Sequence, residues 1–140
     1  LTRLQTPNQE IANERKIEQG TRQIPETERL AMNWLHEISY LFGGVFLANA
    51  VPHFVSGMMG RPFQSPFAKP PGKGLSSSTV NVLWGFANFV IAYLLIARVG
   101  DFDIHVADNV IAAGIGVLLV GVFSARSFGQ FHGGNSPTGS

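Results

Sequence analysis

The sequence predicts an all-α membrane protein: a compact bundle of three transmembrane helices with a polar N-terminal tail and a disordered C-terminal tail. Three observations lead there. The stretches ISYLFGGVFLANAVPHFVSGMMG and TVNVLWGFANFVIAYLLIA contain no Asp, Glu, Lys or Arg. Each exceeds the ~18 apolar residues that read as a membrane span, because ~20 residues at ~1.5 Å rise cross a ~30 Å hydrocarbon core. A third apolar stretch follows, and of the 10 basic and 9 acidic residues eleven fall before Ile38. The mean hydropathy of +0.16 therefore averages a polar first third with an apolar remainder. The spans are expected at 38–59, 79–97 and 106–125.

Residues 1–31 are polar, with apolar side chains too sparse to form a face, and read as a solvated tail. PNQEIANERKIEQG has the start and stop signals of a short helix, which is marginal in water without a face to bury. The first Met is Met32, directly before the apolar region, so a translation start at Met32 is the alternative to a genuine tail. Trp34 and Tyr40 suit the aromatic belt at a membrane surface. His36 and Glu37 do not make a zinc motif, because an HExxH site needs His where Tyr40 stands. Pro52 lies inside the first span, where a bend near residues 48–52 is expected.

The loop RPFQSPFAKPPGKGLSSS is rich in Pro, Gly and Ser, and its Pro-Phe steps predict an extended strip with rings dipping into the interface. GKGLSSST fails as a phosphate loop, since the required first glycine is replaced by Phe67. Lys73 beside Ser77 and Ser78, at the start of the second helix, is a candidate seat for an anion or lipid headgroup. Helix capping by these hydroxyls is the simpler reading. After the second span, VGDFDIH forms a short loop, and Asp108 and Asn109 fall in the first turn of the third helix, where negative charge suits the helix dipole. That helix is expected to leave the membrane at Arg126, and SFGQFHGGNSPTGS reads as disordered.

Composition removes several classes of function. Cysteine is absent, which excludes disulfides and thiolate chemistry. A net charge of +1, with no basic stripe, gives no reason to expect nucleic-acid binding. The four histidines lack metal-ligand spacing, and no nucleophile stands with a base, so neither a metal site, a cofactor nor catalysis is expected. The N-terminus lacks the basic-then-apolar pattern of a secretory signal.

Polar residues inside spans are costly and face protein rather than lipid. Asn49, His53 and Gly57 share one face of the first helix, and Asn81, Gly85 and Asn88 share one face of the second. In an antiparallel hairpin, Asn49 and Asn88 both lie ~14 Å below the loop-side surface, with His53 and Gly85 at ~9 Å. This register sets Asn49 opposite Asn88 and His53 near Gly85 and Trp84. Gly44 and Ala48 on the first helix, Gly85 on the second, and Ala112 and Gly116 on the third let backbones approach closely; Gly114 and Gly121 add a second smooth strip.

The expected function is a non-catalytic accessory or assembly subunit that packs, within the lipid bilayer, against another membrane protein or copies of itself. The alternative is a homo-oligomeric transporter or channel lined by the seam of Asn49, His53, Asn81 and Asn88. Arg61, Lys69, Lys73 and Arg126 outnumber the basic residues at the opposite end, which places the first loop and C-terminus in the cytoplasm. A short chain free of cysteine and of glycosylation sequons points to a bacterial inner membrane.

Overall fold

A computed structural model describes residues 25–135. The chain divides into two units, Leu1–Asn33 and Trp34–Ser140. In the first unit the described residues open helix α1, Glu26–Met58, with Glu26 and Glu28 in its first turn. Negative charge there is favoured by the exposed N–H groups of the helix start. Residues 26–31, expected as tail, are therefore helical. The short helix expected around residues 7–20 lies outside the described residues.

At ~1.5 Å per residue α1 is ~50 Å long, well beyond a ~30 Å hydrocarbon core. The excess sits at its N-terminal end, where the composition is polar and gives no hydropathy signal. α1 runs unbroken through Pro52 and stops at Gly60. Gly60 takes a left-handed φ of 70°, its N–H donates to the Gly57 carbonyl (3.0 Å), and Arg61 N–H donates to Ser56 (2.9 Å). This is the Schellman closure, which glycine permits without a Cβ penalty.

Helix α2 covers Ser78–Ala97 and helix α3 Ala107–His132. All three helices are long and apolar enough to cross a membrane. α3 continues past the expected exit at Arg126 to His132, so residues 127–132 are helical rather than disordered. The true stop is Gly133 at φ 76°, and Asn135 Nδ2 donates back to the Arg126 carbonyl (2.8 Å). The helix persists because Phe128 and His132, one turn apart on one face, pack on Phe63 with ring centroids 4.8 and 5.8 Å away.

α1 and α2 pack antiparallel through a ladder of contacts. Ser39 Oγ donates to the Leu95 carbonyl (2.7 Å), Asn49 meets Asn88, and His53 meets Asn81. A Cβ on Gly57 would strike the Ser78 carbonyl, and one on Gly85 would strike the backbone of Phe54. α3 crosses α1 where Gly44 lies on the Ala113 carbonyl and Gly116 on the Leu41 carbonyl. Ala48 and Ala112 are half-buried. Gly114 and Gly121 lie away from this contact, with open space where a Cβ would stand.

The loop between α1 and α2 is a folded cap. Strands β1, Phe63–Gln64, and β2, Leu75–Ser76, pair antiparallel with Phe63 opposite Ser76 and Gln64 opposite Leu75. Of the rings expected at the interface, Phe67 is exposed, whereas Phe63 turns inward and is 8% exposed. Phe63 faces inward because its ring fills the space between His53, Phe128 and His132.

Candidate functional site

The polar residues of the α1–α2 seam form two separate networks. In the deeper one, Asn49 Nδ2 donates to Asn88 Oδ1 (3.0 Å), and Asn88 Nδ2 donates to the Trp84 carbonyl one turn back (2.7 Å). Asn88 is fully buried. Asn88 thus both accepts and donates, and the chain of bonds ends on a helix carbonyl.

Nearer the loop, Asn81 ties the hairpin to both helices. Its Nδ2 faces the carbonyls of Phe63 (3.3 Å), Ser76 (3.0 Å) and Ser77 (3.0 Å), which fixes the amide orientation. Asn81 Oδ1 therefore accepts, and His53 Nδ1, 2.9 Å away, carries the proton. In the neutral imidazole this leaves the lone pair on Nε2, which has no hydrogen-bond partner among the described residues. The His53 ring stands edge-on to Phe63 (5.4 Å) and to Trp84 (6.5 Å). His53 is thus beside Trp84, as the register predicts, but its polar partner is Asn81 rather than any atom at Gly85. Gly85 instead receives the backbone of Phe54.

Beneath the hairpin lies a cavity of about 300 Å³, lined by Asn49, His53, Gln64, Ser65, Trp84 and Phe128, with Pro66, Pro71 and Gly72 at its exposed rim. Ser65 is held by a 2.6 Å hydroxyl pair with Ser76, and it accepts from Phe67 N–H (3.1 Å). Gln64, only 3% exposed, has an Oε1 with no partner among the described residues. Gln64, Ser65 and Phe128 are absent from the sequence-derived site. No periodicity marks them, because the hairpin and the extended end of α3 bring them together.

The anion seat expected at Lys73, Ser77 and Ser78 is not assembled as one group. Ser77 Oγ accepts from Val80 N–H (3.4 Å) as the N-cap of α2, Ser78 is half-buried as the first residue of that helix, and Lys73 is exposed.

At the opposite end of the helices a second polar cluster joins α1 to the loop before α3. With its amide turned to suit its neighbours, Asn109 donates to Glu37 Oε1 (2.9 Å) and accepts from Asp103 N–H (3.0 Å). Asn109 is 8% exposed, so the residue assigned by sequence to a helix start also bridges two elements. Asp103 Oδ1 in turn accepts from His105 N–H (2.8 Å). Comparison with protein-family models, curated proteins and solved structures finds no match, so functional inference rests on this geometry.

Proposed function

We propose that this chain is a non-catalytic accessory or assembly subunit that packs in the membrane against a larger complex or against copies of itself. The observation that carries the reading is the outer face of α3. Only 6% of the residues in its most apolar stretch are buried within the chain, against 33% for α1 and 22% for α2. Gly114 and Gly121 stand two turns apart on this helix with nothing against them among the described residues. A lipid-facing surface gains nothing from glycine, whereas a neighbouring helix gains close backbone approach.

The seam supports the same reading over a transport pathway. Asn49 and Asn88 bond to each other, and the ladder beyond them toward Leu95 is made of Gly43, Ala92 and Ile96. Between the Asn49–Asn88 pair and the Ser39–Leu95 bond, polar side chains are therefore interrupted on the α1–α2 contact. In this proposal the membrane is a bacterial inner membrane, with the hairpin and the end of α3 in the cytoplasm. Phe63 against Phe128 supports a shared side for those two segments, and Arg61, Lys69, Lys73 and Arg126 give it the excess of positive charge.

Native mass spectrometry after gentle extraction tests the proposal. A hetero-complex or a closed ring of identical chains is expected. Repeated recovery as a lone monomer would overturn it.

A further inference from the structure

The notch under the hairpin holds features that a packing subunit leaves unused, and what they imply does not depend on that reading. Gln64 is 3% exposed, lines the notch, and has an Oε1 without a partner among the described residues. A buried acceptor without a donor is costly, and native structures keep few of them. His53 lines the same notch, and its Nδ1–H is committed to Asn81. The neutral ring therefore offers a second acceptor, Nε2, which has no hydrogen-bond partner among the described residues, in a side chain that lines the same notch.

The rest of the lining selects the ligand. Among the described residues no Asp, Glu, Lys or Arg borders the notch, so nothing in its described lining balances a charged ligand. A carboxylate or phosphate would bring more lone pairs to two acceptors that need donors. The rings of Trp84 and Phe128 supply flat walls, with Pro66 and Pro71 at the exposed rim, and aromatic rings gain from offset or edge-on packing on such surfaces. A volume of about 300 Å³ is at the small end of ligand pockets.

We propose that the notch binds a neutral aromatic ring bearing a hydroxyl donor, a phenol, with its O–H directed to the acceptors of His53 and Gln64 and its ring against Trp84.

The test is a 19F NMR titration of 4-fluorophenol against the full chain in lipid nanodiscs, with empty nanodiscs subtracted for partitioning. The matched probe, 4-fluoroanisole, keeps the ring and lacks the donor. Saturable binding of the phenol is expected, weaker by about tenfold for the ether, the size of one net hydrogen bond. Gln64→Leu should weaken phenol binding by about tenfold while raising the thermal midpoint, because it removes an acceptor that has no partner in the free protein. Equal binding of phenol and ether would reduce the notch to a plain apolar cavity and overturn the proposal. So would binding no greater than to empty nanodiscs, or full phenol affinity in Gln64→Leu.

Discussion

Asn49 and Asn88 bond to each other between helices apolar enough to cross a membrane, and in hydrocarbon, which offers no competing hydrogen bonds, a single such pair sets helix register. Lipid tails are as apolar as the helices, so burying leucine between α1 and α2 provides no driving force of the kind water supplies. A mismatched register would leave two amides without partners, and each unsatisfied polar group in hydrocarbon is expensive. A double-mutant cycle isolates the effect. Asn49→Leu and Asn88→Leu should each destabilise the fold, and their coupling should be about 0.6–2 kcal/mol, read from unfolding in mixed micelles. Additive single effects would mean that the pair does not hold the register. The pairing was legible in the sequence because both asparagines lie at matched depth on helices of known rise. The partnership of His53 with Asn81 was not, since Asn81 is turned by three backbone carbonyls, two of them from the hairpin strands. Gln64 was invisible for the same reason: its burial arises from a hairpin with no periodic signature.

The elements extend beyond the segments that hydropathy identifies. Composition located all three helices that are long and apolar enough to cross a membrane, because a long run of apolar residues has few alternatives to such a helix. It missed the first turns of α1 and the last turns of α3, which lie where side chains are polar and helix formation depends on local bonds and packing. For α3 the packing is Phe128 and His132 on Phe63, and a Gly-Gly step after His132 marked the real stop. Phe128→Ala should therefore loosen the hairpin as well as the helix end. Phe128 is half-buried, so the loss is about 1–2 kcal/mol, below the cost for a fully buried ring. Hydrogen exchange should read it as faster exchange at β1 and β2 and at residues 127–132, with the α1–α2 contact near Asn88 unchanged. Unaltered exchange at the strands would show that the cap is held by Asn81 and the Ser65–Ser76 pair alone.

For the whole molecule, glycines on opposite sides of α3 carry different burdens, and this separates folding from assembly. Gly44 and Gly116 lie where α1 and α3 touch backbone to backbone, so any side chain there must push the helices apart. Gly114 and Gly121 open outward. Gly44→Val should destabilise the isolated chain by about 1–3 kcal/mol, the usual cost of overpacking. Gly114→Val meets nothing among the described residues, and a helix interior tolerates valine slightly better than glycine. Its thermal midpoint as a purified monomer should stay level or rise. In native membranes the ordering should reverse in kind: Gly114→Val, and Gly121→Val likewise, should lose the complex while the chain itself remains folded. Blue-native electrophoresis beside thermal unfolding distinguishes the two effects. If Gly114→Val and Gly121→Val both preserve the assembly, the outer face of α3 meets lipid, and any partner must dock elsewhere. If they abolish it at undiminished monomer stability, these glycines are where a neighbouring backbone approaches, and cross-linking from positions 114 and 121 would identify it.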